Sequence, residues 1–156
     1  MTAEHDNLLR HLRGVKYIVI NTCHGGFGLS QAAIERYHEI RQQPIWIENN
    51  RRCTLVKTVW LVPPEQRVEL LEGDQWQAMT DQEKRAHNNR YDDQVWSDQE
   101  LARDDPVLVQ VVRELGDQAN TRLSKLKIVE IPASVDWFIE DFDGQEWIAE
   151  RHRIWD

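Results

Sequence analysis

Cys23, His24, Gly25, Gly26, Gly28 and Ser30 fall inside the stretch "INTCHGGFGLS", which joins an apolar run to a helical pattern. A thiol, an imidazole, a hydroxyl and three glycines so close together offer two kinds of chemistry. The first is recognition: a glycine-rich link from strand to helix lets the backbone approach a ligand, and the helix start supplies unpaired amide protons and partial positive charge, which suit a phosphate or carboxylate. The second is covalent: a thiol near a helix amino terminus can be activated as a nucleophile, with His24 as its base.

Known fingerprints fit poorly. A Walker loop needs Lys followed by Ser or Thr, and the dinucleotide motif needs other glycine spacing with a later acidic residue. A phosphatase-like loop would carry arginine six positions after the cysteine, where Leu29 stands. The competing reading is architectural: the glycines make a tight turn, and Cys23 packs as a small apolar side chain.

Other groups are candidates at longer range. Arg103 and Asp104 in "RDDP" could face a ligand, with Asp104 as a second candidate nucleophile or base; the alternative is that Asp105 caps a helix and Asp104 complements its dipole. Arg151, His152 and Arg153 are potential anion contacts. Glu35 and His38 have the Glu-x-x-His spacing of di-metal bundles, but without a second copy they read as a solvated helix face, and no metal site is expected. "IEDFDGQEW" gathers acidic groups, Glu140 and Asp141 among them, either as plain solvated surface or as a face for a basic partner protein.

These residues must be held by something the size of one domain. The chain has 156 residues, is 40% apolar and 29% charged, and reads as one globular domain over 1–156. A net charge of -8 argues against direct nucleic-acid binding. The imbalance is local: residues 1–60 hold eight Lys/Arg and five Asp/Glu, whereas 61–156 hold eleven and twenty-two. Cys23 and Cys53 lack the spacing of a disulfide framework or zinc site, and no leader or membrane span is recognisable, so a soluble cytoplasmic protein is expected.

The expected class is α+β: a central sheet carrying a strand, glycine loop and helix unit, a second packed helix, and a carboxy-terminal hairpin. "VKYIVIN" (15–21) reads as a buried strand. Ser30 caps a helix over 31–41 whose apolar face is Ala33, Ile34, Tyr37 and Ile40. "PIWIEN" and "CTLVKTVWLV" suggest a hairpin turning at "NNRR". Residues 65–102 read as a polar surface excursion, with a short helix from Asp81 to about Asn88 behind a Thr80/Glu83 capping box. The strongest helix signal follows Asp105 and Pro106, with Leu108, Val111, Val112 and Leu115 on one face. "LKIVEIP" is a strand, and "VDWFIEDF" with "EWIAE" forms a hairpin turning at Asp143–Gly144.

The blocks "VINTCHGGFGLSQAAIERY", "RDDPVLVQVVRELGDQAN" and "LKIVEIPASVDWFIEDFDGQEWIAERHRIW" together resemble a family of small proteins encoded by tailed phages and prophages. The resemblance implies a bacterial host cytoplasm and an accessory role such as redirecting host enzymes or blunting host defence; it assigns no activity to individual residues. The leading expectation is an accessory protein that binds an anionic, nucleotide-like small molecule at Cys23, His24, Gly25, Gly26, Gly28 and Ser30, with Arg103 and Arg153 as outlying contacts. One alternative is an acidic inhibitor that binds a host protein. The other is a small nucleotide- or nucleoside-processing enzyme using Cys23 or Asp104. No cofactor follows from the residues.

Overall fold

The computed structural model describes residues 14–50 and 57–152. In chain order the elements are β1 (Val15–Asn21), α1 (Gln31–Ile40), β2 (Trp46–Asn49), β3 (Lys57–Trp60), the single-turn α2 (Asp74–Gln77), α3 (Asp81–Gln94), β4 (Val95–Trp96), α4 (Pro106–Leu115), β5 (Leu126–Pro132), β6 (Trp137–Phe142) and β7 (Gln145–Glu150). The class is α+β, as expected, with three small antiparallel sheets: β1–β5, β2–β3–β4 and the hairpin β6–β7. The described residues divide into two compact units, one made of residues 14–41 and 98–152, the other of residues 42–50 and 57–97.

In the first unit β1 pairs with β5 from Val15↔Pro132 to Asn21↔Leu126. The second half of β1 is buried without alternation, as a strand covered on both faces must be. Helices α1 and α4 close the core, where Ile18, Val19, Ala33, Leu108, Val109 and Val111 are almost wholly inaccessible. Both helices start as their sequences dictate. Ser30 Oγ accepts the amide proton of Ala33 at 3.2 Å, and Asp105 Oδ1 accepts those of Val107 and Leu108 at 2.7 and 3.2 Å, with Pro106 at the first position, where no proton is needed. The helices are joined by Tyr37, whose hydroxyl donates to Asp105 Oδ2 at 2.9 Å, and by Arg36, which donates to Glu114 at 2.9 Å.

One expectation on α1 is corrected. Glu35 is exposed, but His38 is 1% accessible and packs edge-on against Tyr37, so the Glu-x-x-His pair does not lie on a solvated face. At position 38, one residue from Tyr37, the ring falls on the flank of the buried stripe.

In the second unit β2 and β3 form the expected hairpin, Trp46↔Trp60 to Asn49↔Lys57; the remainder of the expected turn and Cys53 lie outside the described residues. Residues 65–102 carry more structure than a charged, weakly periodic run announces. α3 continues six residues past Asn88 to Gln94, and Val95–Trp96 then adds a third strand to β3. Helical spacing is present in Lys84, His87, Asn88 and Tyr91, an i, i+3, i+4, i+7 stripe made of residues that an apolar filter ignores. Among the described residues no helix is long and apolar enough to cross a membrane.

Candidate functional site

Asn21, the last residue of β1, organises the glycine loop. It is wholly buried. Its main-chain amide donates to Glu146 Oε2 at 2.8 Å, its Oδ1 accepts the amide proton of Lys125 at 2.8 Å, and its Nδ2 donates to the carbonyls of Cys23 and Gly144, both at 2.6 Å. One side chain thus ties β1, the approach to β5 and the β6–β7 turn together. A buried amide is worth its desolvation only when satisfied in this way.

The glycines serve that junction. A Cβ on Gly25 would lie 1.8 Å from the Leu123 carbonyl oxygen, and one on Gly144 would lie 2.5 Å from the His24 carbonyl oxygen and 2.6 Å from the Gly26 nitrogen. Gly26 differs: its φ is +92°, and a Cβ there would meet open space. The far end of the loop is held by protein groups. Leu29 N donates to Asp98 Oδ2 at 2.8 Å, Ser30 N to the Ala119 carbonyl at 2.9 Å, and Ser30 Oγ to the Gln118 carbonyl at 2.6 Å.

Cys23, His24, Gly25, Gly26, Gly28 and Ser30 therefore share one loop, but their polar groups do not converge on a common point. Cys23 is a half-buried free thiol whose Sγ lies 3.2 Å from the Leu123 carbonyl oxygen and 3.4 Å from Asn21 Oδ1. The His24 ring is exposed, with Nδ1 4.0 Å from the carboxylate of Asp143. Arg103 lies beneath the loop. Its guanidinium makes two hydrogen bonds of 2.8 Å to Glu146, donates to the Val19 carbonyl at 3.3 Å and stacks 3.4 Å from the centre of the Phe27 ring. Asp104 is exposed just ahead of α4. Arg151 stands 3.6 Å from Asp136 and over the Phe138 ring, His152 is exposed, and Arg153 lies outside the described residues.

The hairpin beside this loop is built differently from an ordinary surface ribbon. Asp143 and Gly144, with φ of +52° and +83°, form a two-residue turn in which both residues are left-handed. Register then sorts the side chains. Ile139↔Ile148 and Asp141↔Glu146 share one face, and Glu146 is buried with Arg103. Phe138↔Ala149, Glu140↔Trp147 and Phe142↔Gln145 share the other. On that outer face Phe142 is 69% and Trp147 43% accessible, with the Trp147 indole donating to Glu140. Asp141 and Asp143 are exposed at the same end, and Leu123, across Gly25, is 64% accessible.

The aromatic face is legible in "WFIEDF" and "QEWIAE" once strict alternation is applied, but the acidic letters draw attention first. The Asn21–Glu146–Arg103 junction links residues up to 125 positions apart and has no local signal. The chain matches no family model, no curated protein and no solved structure.

Proposed function

We propose that this protein is a binding protein whose outer hairpin face docks on a basic surface of a partner protein. The observation that carries the reading is the exposed pair Phe142 and Trp147 on one face of β6–β7, with Glu140 on that same face and the exposed Asp141 and Asp143 at the same end of the hairpin. A solvent face of a two-stranded ribbon is ordinarily polar; large aromatics with a charged rim are the composition of an interface core, where a few such side chains carry most of the affinity. The carboxylates set the sign of the partner and speed its approach. The ribbon is presented rigidly, because Asn21 and Glu146 fasten it to β1. The resemblance to phage and prophage proteins favours a host protein as the partner and inhibition or redirection as the outcome.

The test is capture from bacterial lysate by the wild type, by Phe142→Ser and by the double variant Glu140→Lys/Asp141→Lys, each checked for native near-UV circular dichroism. A partner lost in both folded variants supports the reading; one retained by both rejects it.

A second reading keeps the glycine loop as an anion cradle, and what favours it is the open space beside Gly26 together with the exposed His24. Asp143 and Glu146 oppose it by placing negative charge beside and beneath the loop, while Arg103 is already paired. Nucleotide-induced thermal stabilisation that disappears in Gly26→Val would restore it. The nucleotide- or nucleoside-processing alternative has less support, since the neighbours of Cys23 Sγ are oxygen acceptors and not a base.

A further inference from the structure

The hairpin β6–β7 is a sheet of two strands, so each strand has one edge that the other does not cover. Of the two, β7 is the strand that packs against β1, whereas the main neighbour of β6 is β7 itself. The uncovered edge of β6 is the outer edge of the hairpin.

Register fixes which main-chain groups that edge presents. Phe142 and Gln145 close the two-residue turn, and in such a turn the closing residues exchange both hydrogen bonds. At the other end of the ribbon the Arg151 amide donates to the Asp136 carbonyl at 2.8 Å, in the same phase. Phe138, Glu140 and Phe142 therefore bond β7, and the N–H and C=O groups of Trp137, Ile139 and Asp141 point the other way. Among the described residues, none bonds those outward groups.

A bare strand edge is a template for one more strand. β6 carries none of the common blocks: no proline, no lysine and no bulge in its pairing. Its charges are acidic, and they select the occupant. Glu140, Asp141, Asp143 and Glu150 are exposed, and no Lys or Arg stands between Lys127 and Arg151 in the sequence. A second copy of this chain would bring the same charges to the edge and be repelled, whereas a basic segment is attracted. Alternation selects further. One face of an added strand lies beside Phe138, Glu140 and Phe142, where long cationic side chains cover the rings and meet the carboxylate. The other face lies beside the half-buried Trp137 and Ile139, which suit β-branched residues.

We propose that the free edge of β6 takes up an extended segment of the partner protein, alternating Lys or Arg with β-branched residues, as a third strand. This rests on the docking reading above and specifies its mode, main-chain pairing at the edge with side-chain contact on the outer face.

The probe is a capped heptapeptide alternating Lys and Val, titrated into the full-length, ¹⁵N-labelled protein with amide hydrogen exchange followed residue by residue. An added strand bonds through alternate residues, so the comparison peptides are N-methylated at every valine or at every lysine; a third alternates Glu and Val. Support is saturable binding with slowed exchange at the Ile139 and Asp141 amides, at least tenfold weaker binding by one N-methylated peptide and by the Glu peptide, and at least tenfold weaker binding to Asp141→Pro than to Asp141→Asn. Both variants lose the same charge, but only proline loses the outward N–H, a change that leaves the pairing with β7 in place. No saturation up to millimolar peptide, unslowed exchange at those amides, equal binding by both N-methylated peptides, or equal binding by the Glu peptide overturns the proposal, and the peptide comparison decides it if Asp141→Pro fails to fold. Capture of a lysate partner that is lost in Phe142→Ser but retained in folded Asp141→Pro also overturns it, and leaves the docking reading standing.

Discussion

Arg103 and Glu146 meet through two hydrogen bonds of 2.8 Å each, with only 16% and 6% of their side chains accessible. The same Glu146 Oε2 also accepts the main-chain amide proton of Asn21, and the Arg103 carbonyl accepts that of Val19 at 2.8 Å. The pair therefore couples the end of β1, the segment before α4 and the hairpin.

Removing one partner leaves the other charge buried and uncompensated. Arg103→Ala is expected to cost about 3–5 kcal/mol of unfolding free energy, the range for breaking a buried ion pair from one side. The double variant Arg103→Met/Glu146→Leu is expected to cost clearly less than the sum of the single changes. Urea denaturation of Arg103→Ala gives the first quantity, and of the wild type, Arg103→Met, Glu146→Leu and the double variant the second.

The loop glycines should rank by the space beside them. Gly26→Ala pays only for its positive φ, roughly 1 kcal/mol, because nothing lies within 4 Å of the added methyl. Gly25→Ala and Gly144→Ala drive a methyl into main-chain atoms at 1.8 and 2.5 Å and should each cost more than about 2 kcal/mol. Denaturation midpoints of the three variants decide the order.

Tyr37 should ionise well above the usual range of a tyrosine phenol. Burial, and then its hydrogen bond to Asp105, push the phenol up to about 12 from the usual 10. Because the folded value is raised, the stability it confers is complete below pH 10 and is lost as pH rises through 12. An absorbance titration of phenolate should show a late component that Tyr37→Phe removes, and unfolding in alkali should accompany it.

How much of this was legible in the sequence depended on the range of the interactions. Ser30, Asp105 with Pro106, Thr80 with Glu83, and Asp143–Gly144 mark element ends through contacts within a few residues, and each cap or turn is where its letters place it. The full length of the polar α3, beyond Asn88, escaped because its inward residues, Lys84, His87 and Tyr91, include no aliphatic side chain. At the glycine loop the letters allowed either a cradle or a close-packed turn. What separates these is the position of Leu123 and Gly144 against Gly25 and Gly26, contacts between residues roughly a hundred positions apart that no local pattern encodes.

The central claim is that the outer hairpin face is the contact surface. Its most direct test is site-specific photo-crosslinking in bacterial cells expressing the full chain, with benzoylphenylalanine in place of Phe142 and, as control, in place of the exposed Asp117 on the short helical turn after α4. The account predicts a discrete adduct with a basic protein from position 142, weakened when lysates are irradiated at high salt, and no such adduct from position 117. Equal labelling from both positions, or none from position 142, would contradict it.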